Sequence, residues 1–314
     1  MSLKTLSTHY LNRHVLVTGG AGFIGSHLVE TLVELGAKVT VLDNLSTGKL
    51  SNLNSVLDQI EFIAGDIRDP QLCRTICQNQ EFIFHQAAFI SAPESTEKPY
   101  DCYEINVQGT LNLLEAAQLN KVTKFIYASS AAVYGETDQT CHESLPTHPA
   151  SPYGLSKLIG EQYCQSYHQI YHLQSLSLRY FNVWGDRQDP NGSYAAAVAK
   201  FKHQMAQDLP ITIYGDGQQT RDFIHVSQVV KANLTLATLD SNNLNGQPVN
   251  IATGQSSTLL QMIEQLKTLY PQYSGPIIFK PTRAGDIKNS SANNQKVRRL
   301  MQSRYPQNHF FELN

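Results

Sequence analysis

The stretch "SPYGLSK", Ser151 to Lys157, sets a phenol and an ammonium one helical turn apart. A tyrosine ordinarily titrates near a pKa of about 10. A cation beside the ring favours the phenolate and draws that value toward neutrality. Such a phenolate can take the proton of an alcohol while a hydride leaves the same carbon. That chemistry needs two further parts, a hydroxyl to hold or relay the proton and an acceptor for the hydride. "YASSAAVYG" supplies Ser129 and Ser130 upstream. Alone, Tyr153 and Lys157 would read as a solvated pair on an ordinary helix, so the case rests on their surroundings.

The hydride acceptor is suggested by "VTGGAGFIGSH". Gly19, Gly22 and Gly25 give G-x-x-G-x-x-G, and Gly20, Gly22 and Gly25 also satisfy G-x-G-x-x-G. Glycines let the backbone turn tightly and approach a pyrophosphate, and the next helix then aims its first amides at the anion. The pattern follows a strand, opens a helix and leads to a second strand ending in Asp43, which is the context a dinucleotide site requires. A carboxylate at Asp43 suits the adenosine ribose hydroxyls and repels a 2′-phosphate, which implies NAD rather than NADP. Lys49, in "NLSTGK", keeps NADP in view, and the small polar residues of that stretch suit the adenosine. Asp66, at the end of the third strand, is either an adenine contact or the cap of the helix that follows. A bound NAD would add the positive charge of its nicotinamide ring to that of Lys157 in favouring the phenolate.

These residues have to be positioned by an alternating set of elements. "HVLVTG", "KVTVLD", "EFIAGD", "EFIFHQAA" and "KFIYAS" read as strands. Between them lie a helix stopping at Gly36, a short one over 70–77 and a long one from about Tyr103 to Leu119. Continuous apolar runs separated by amphipathic helices predict a parallel sheet covered on both faces. Right-handed crossovers make that a doubly wound α/β fold, a Rossmann sheet. Ser129 and Ser130 then stand at the carboxyl edge of the fifth strand, Tyr153 and Lys157 open the next helix, and "RYFN" ends the following strand with Asn182 at the same edge. Beyond it the rhythm breaks into turns around one helix, Tyr194 to Gln207, and a C-terminal third of short elements. The NAD-binding domain is expected over 1–182 with its sheet completed by about 222–253. A smaller interleaved lobe takes 183–221 and 254–314.

Composition narrows the function classes. A formal net charge of -2 with no basic block gives a nucleic-acid role no electrostatic support. No apolar run reaches membrane-spanning length, and "MSLKTLSTHYLNR" is too polar for a secretory signal. Cys73, Cys77, Cys102, Cys141 and Cys164 are odd in number and scattered, which fits a reducing cytoplasm better than a disulfide framework. Cys73 with Cys77, and His168 with His172, share helix faces, but neither pair has further ligands spaced to complete a metal site, and none is expected. "NGS" at Asn191 matches a glycosylation acceptor, without meaning in a chain that has no signal peptide.

Taken together, "TGGAGFIGSH", "DNLSTG", "GDIRD", "HQAA", "NVQGT", "SSAAVYG", "SPYGLSK", "RYFNVWG", "GDGQQTRDFIHV" and "RAGD" resemble the extended short-chain dehydrogenase/reductase family over nearly the whole chain. The likeness is greatest to its nucleotide-sugar epimerases, in particular those acting on UDP-N-acetylglucosamine. The resemblance implies a tightly bound NAD that takes hydride from sugar C4 and returns it to the other face of the 4-keto intermediate. It implies Tyr153 as acid/base, Ser130 as its partner and Lys157 tuning the pair. Implied cofactor contacts are Gly19, Gly22, Phe23, Ile24, Gly25, Asp43, Asn44, Ser46, Thr47, Gly48, Asp66, Ile67, Gln86, Ala87, Ala88, Ala128 and Tyr180, besides Tyr153 and Lys157. Implied substrate contacts are Ser130, Asn182, Gln188, Ala196 and Asp286, with Thr212 and Tyr214 for the uracil and Arg221 and Arg283 for the diphosphate. Either arginine alone would more often be a surface ion pair. A fork of fixed donors suits phosphate.

Departures from the family pattern narrow the reaction. Ala131 and Ala132 replace the acidic pair of sugar 4,6-dehydratases, and Ala132 replaces the glutamate of decarboxylases. "RQDPNGSYAAA" resembles the loop of epimerases for N-acetylated sugars, with Gln188 toward the 2-substituent. Ser290 stands where galactose-type enzymes carry a bulky tyrosine, leaving room for an acetyl group. UDP-N-acetylglucosamine/UDP-N-acetylgalactosamine 4-epimerase is the leading expectation, with UDP-glucose and UDP-galactose accepted less well. Its rivals are a UDP-glucuronate 4-epimerase or decarboxylase, for which Arg187 would face the carboxylate, a plain NAD-dependent dehydrogenase, and an inactive NAD-binding regulator. The resemblance also implies a homodimer through a four-helix contact of 103–119 and 152–171. An apolar stripe there serves equally to cover the sheet.

Overall fold

The computed structural model describes residues 3–190, 197–282 and 289–304. In chain order its first half runs α1 (Leu3–Tyr10), β1 (His14–Thr18), α2 (Phe23–Glu34), β2 (Lys38–Asp43), β3 (Ile60–Ala64), α3 (Pro70–Ile76), β4 (Phe82–His85), α4 (Ala92–Glu97), α5 (Pro99–Tyr103), α6 (Gly109–Leu119) and β5 (Lys124–Ser130). The second half runs α7 (Pro152–Tyr171), β6 (Gln174–Tyr180), β7 (Asn182–Trp184), α8 (Ala197–Ala206), β8 (Ile211–Tyr214), β9 (Thr220–His225), α9 (Val226–Leu236), β10 (Asn245–Ile251), β11 (Ser256–Thr258), α10 (Leu259–Leu269), β12 (Ile277–Lys280) and α11 (Gln295–Arg304).

Seven strands form one parallel sheet in the order β10-β6-β5-β4-β1-β2-β3. The strand runs are apolar on both faces because both faces are covered. Val15, Val17 and Val41 point to the side of α1, α2, α9 and α11, where Leu28, Leu32, Val229 and Met301 meet them. Leu16, Ile83 and Phe125 point to the other side, against Cys73 of α3, Leu113 and Leu114 of α6 and Cys164 of α7. Fully burying one such side chain stabilises by roughly 1.5–3 kcal/mol, so the strand register is strongly fixed.

Helix boundaries follow local chemistry. The α2 helix stops before Gly36, whose φ of +79° ends the turn. In "SPYGLSK", Ser151 caps α7 by accepting from Gly154 N, and Pro152 takes the first helical position, where no amide bond is lost. The start of α7, and with it the height of Tyr153, is therefore written in two residues.

Three findings depart from the sequence reading. The long helix expected from Tyr103 is entered through α5 and a π turn, Glu104–Gln108, before α6. The N-terminal stretch, for which no element is expected, contains α1; Tyr10 is buried and its hydroxyl donates to Leu234 O at 2.7 Å. Asn182 does not end the sixth strand. That strand closes at Tyr180, and Asn182 opens β7 in a second sheet, β11-β9-β7. The helix expected over Tyr194 to Gln207 is present as α8, Ala197–Ala206, with 194–196 outside the described residues.

Beyond the large sheet, β12 and β8 pair in parallel. Met205 of α8, Ile211 and Ile213 of β8 and Ile263 of α10 build a separate core there. The large sheet takes β10 as its outer strand, while β9 serves the small one.

Candidate active site

A cleft of about 370 Å³ opens at the carboxyl edge of the large sheet, where strand order reverses between β1 and β4. The glycine turn forms one wall. Gly19 has φ +67° and lies so close to the loop after β4 that a Cβ would stand 2.6 Å from Ala87 N. Gly25 packs against the turn itself, where a Cβ would be 2.1 Å from Gly19 O. Gly22 caps α2 without any side-chain oxygen, so the first-turn amides face the cleft that Gly22, Phe23, Ile24 and Gly25 line. Amides so placed fit a diphosphate.

Behind the turn, His85 joins Thr18 Oγ1 at 2.7 Å and Thr110 Oγ1 at 2.9 Å, and burial pulls its imidazole down to about 3. Thr110 spends its proton on Asn106 O at 2.6 Å, which assigns the imidazole proton to Nε2 and makes Nδ1 the acceptor from Thr18. Thr18 Oγ1 accepts in turn from Ala87 N. The neutral ring thus links the end of β1 to α6 and the cofactor loop.

At the far end of the cleft, Asp43 Oδ2 accepts from Ala21 N at 2.9 Å and Oδ1 from Leu45 N at 2.8 Å. Each oxygen keeps a lone pair for a hydroxyl. Gly48, absent from the cleft lining, packs against this carboxylate; a Cβ there would meet both oxygens at 2.9 Å. The buried anion suits a ribose diol and excludes a 2′-phosphate, and Lys49, the residue that kept NADP in view, is paired with Asp189. Asn44, Ser46, Thr47, Asp66 and Ile67 complete this end. Asp66 is not a helix cap, since Asp69 caps α3 through Gln71 N and Leu72 N. Burial opposes its ionisation, but hydrogen bonds from Arg68 and Asn44 hold the carboxyl at about 2.

Ser130, Tyr153 and Lys157 meet at the opposite end, beside Gln86, Ala87, Ala88, Ala128 and Tyr180. Burial raises the Tyr153 phenol above its ordinary value, while a hydrogen bond with Ser130 lowers it. Burial brings the Lys157 ammonium down to about 8. Its Nζ donates to Ala128 O at 2.9 Å and stands 5.9 Å from the centre of the Tyr153 ring. The sequence reading has Lys157 and the nicotinamide ring lowering the phenol together. In the protein alone, the upward push of burial prevails. The arrangement can hold an alcohol against a phenol–hydroxyl pair beside a dinucleotide.

The expected sugar-side residues divide. Gln188 lines the cleft, its Nε2 donating to Val183 O at 3.2 Å and its buried Oε1 without a donor. Asn182, Thr212, Tyr214, Arg221 and Ser290 are not in the cleft wall. Three of them gather on β9: Arg221 lies in it, Asn182 Nδ2 donates to Asp222 O, and Ser290 N donates to Thr220 O. Thr212 and Tyr214 are on β8. Ala196, Arg283 and Asp286 lie outside the described residues, as does Asn191. Arg187, weighed as a carboxylate ligand, is engaged by Glu30 at 2.6 Å. Sequence reasoning missed Leu42, Gly65, Ile90, Ile105, Phe181 and Val183 in the wall. The signal for the last two lay in "YFNVWG", whose flanks reach the cleft while its asparagine does not.

All five cysteines are buried free thiols, and burial pushes Cys73 and Cys164 up to about 12. Among the described residues no group of three or more His, Cys, Asp or Glu could hold a metal ion, and no helix is long and apolar enough to cross a membrane.

Comparison with known proteins agrees with this geometry. Residues 15–252 match the model of the NAD dependent epimerase/dehydratase family. The chain is 41% identical over 276 residues to a putative UDP-glucose 4-epimerase of Methanocaldococcus jannaschii, covering 87% of each. Among solved structures it resembles the UDP-N-acetylglucosamine 4-epimerase of Methanobrevibacter ruminantium in complex with UDP-N-acetylmuramic acid, with TM-score 0.87, 37% identity and 92% of each chain covered. It also resembles the UDP-glucose 4-epimerase of Thermotoga maritima with UDP-glucose, with TM-score 0.85, 38% identity and 91% of each covered. The matched segment begins in β1 and ends just after β10, so it contains the glycine turn, Asp43, Ser130, Tyr153 and Lys157. The chain therefore belongs to the NAD-dependent epimerase/dehydratase family, and it is an epimerase whose cofactor is NAD.

Proposed function

We propose that the chain is a UDP-sugar 4-epimerase whose preferred pair is UDP-N-acetylglucosamine and UDP-N-acetylgalactosamine. The observation that carries the reaction is the meeting of Tyr153 with Ser130 at one end of a dinucleotide cleft. Tyr153 Oη takes the proton of the sugar C4 hydroxyl, and Ser130 Oγ holds that oxygen and relays the proton. The glycine turn, Asp43 and Lys157 would hold NAD, which when bound would supply the reversible hydride acceptor for C4. Tyr153 then returns the proton to the C4 oxygen. Lys157, seated on Ala128 O, keeps donors for the nicotinamide ribose.

The elements beyond the large sheet, 183–221 and 254–314, form the sugar-nucleotide lobe in this reading. Arg221 serves the diphosphate, with Thr212 and Tyr214 toward the uracil and Asn182 toward the sugar. Preference for the acetamido sugars rests on two residues. Gln188 lines the cleft, and its buried Oε1, without a donor among the described residues, is an acceptor of the kind an amide N–H needs. Ser290 is small where a tyrosine would crowd the 2-substituent.

Incubation with UDP-N-acetylglucosamine, followed by proton NMR of the anomeric region, is expected to show UDP-N-acetylgalactosamine. Conversion of UDP-glucuronate instead would refute the reading. Ser290→Tyr is expected to shift the kcat/KM ratio toward UDP-glucose by about 10-fold. An unaltered ratio removes Ser290 from specificity.

The same reading includes a homodimer. Tyr100 and Tyr103 of α5 and Leu155, Ile170 and Tyr171 of α7 are exposed, an apolar surface a second copy would cover. Light scattering after gel filtration is expected to give twice the mass of the chain, and a monomer at micromolar concentration would exclude the dimer.

A further inference from the structure

Helix α7 is tied to β5 at three successive turns. Tyr153 faces Ser130 in the cleft wall, Lys157 donates to Ala128 O, and Glu161 accepts from the Ser129 hydroxyl at 2.5 Å. The third tie differs in kind, because Glu161 does not line the cleft. Its carboxylate is held on the other side by Arg179 of β6, Nε to Oε1 at 2.8 Å and Nη2 to Oε2 at 2.7 Å. The two side chains are 4% and 5% exposed. The guanidinium carbon stands 4.7 Å from the centre of the Tyr134 ring.

The cluster adjoins the cleft, whose wall includes Ser129 itself. Ser129 precedes Ser130, Arg179 precedes Tyr180, and Glu161 shares the α7 face of Tyr153 and Lys157. A buried ion pair is a weak means of stabilising a fold, since packed apolar residues of similar volume often do as well or better. What the pair does supply is direction, because a bidentate fork fixes both partners in one plane.

We propose that the Glu161–Arg179 pair, acting through Ser129, is a positioning device that sets Ser130 against Tyr153 for proton transfer. The proposal rests on the reading of Tyr153 as acid/base. Glu161 and Arg179 stand behind the cleft wall, while Ser129 belongs to it.

The test is the double variant Glu161→Leu/Arg179→Met, which removes both charges together and leaves neither buried alone. It is measured beside Ser129→Ala, Ser129→Thr and Tyr153→Phe for kcat, KM, NAD content and melting temperature. The double variant and Ser129→Ala are expected to load NAD fully, to keep KM within about twofold, and to lose kcat by about 10-fold or more. Ser129→Thr, which keeps the hydroxyl, is expected to recover most of that loss. If the double variant fails to fold, the two Ser129 variants decide. A kcat within about twofold of the parent in a loaded variant overturns the proposal. So does a loss that appears equally in NAD content or melting temperature, which would assign the cluster to folding alone. Activity surviving in Tyr153→Phe would instead overturn the reading of Tyr153, whatever the Ser129 variants do.

Discussion

Tyr153→Phe is expected to lower kcat by about 10²–10⁴-fold while NAD and UDP-sugar still bind. The ring would keep its place in the cleft wall, so the change removes one oxygen and little packing. No neighbour can stand in for that oxygen. Ser130 Oγ already accepts from Ala132 N at 3.2 Å, and a serine hydroxyl has no accessible anionic form to serve as a base. Lys157 Nζ is held by Ala128 O. NMR turnover together with calorimetric titration of UDP-sugar separates chemistry from binding. Unchanged turnover would take Tyr153 out of its role. The direction of its titration adds a condition. Because burial raises the phenol in the protein alone, the charge that makes it a base has to come mainly with the bound cofactor.

Gly25→Ala is expected to yield a folded chain that has lost its cofactor. A Cβ at residue 25 would sit 2.1 Å from Gly19 O and 2.9 Å from Gly19 C and Gly20 Cα, all of them backbone. Ordinary contact begins at 3.4 Å, so the turn has to open by more than an ångström. A displacement of roughly 1 Å at a binding geometry can cost about 10²-fold. Gly22→Ala is the milder control, since its Cβ would meet Gly19 O alone, at 3.1 Å. NAD released on acid denaturation, counted per chain, measures the loss. Full loading of Gly25→Ala would mean that the turn is softer than its packing indicates.

Much of the fold is legible in the sequence because the strands are short continuous apolar runs and the glycines mark where they end. The cofactor half of the cleft follows from that, since Gly19, Asp43, Ser130 and Tyr153 sit at strand or helix ends and Asp66 stands two residues past β3. The sugar half is harder to read. "LRYFNVWG" runs on without a turn residue before its final glycine except Asn182, yet the chain leaves one sheet after Tyr180 and enters another at Asn182. Nothing local announces a change of sheet. Nor does any local signal distinguish Glu161 and Arg179, in the core, from the exposed Arg74–Glu115 pair. Burial of a charge is decided by which elements meet, and these meet across eighteen residues of chain. Helix α1 escaped notice for the opposite reason. It is eight residues long, and its anchor, Tyr10, finds its acceptor more than two hundred residues away.

The five buried thiols have a further use. A cysteine reacts as its thiolate, and thiols raised by burial and closed off from solvent react only when the surrounding core parts. They are spread over α3 and its end, α5, the stretch before α7, and α7 itself. The chain thus carries its own timers of local opening. The pace at which an alkylating reagent finds each sulfur would rank the regions of the molecule by how often they breathe, without any label having to be introduced.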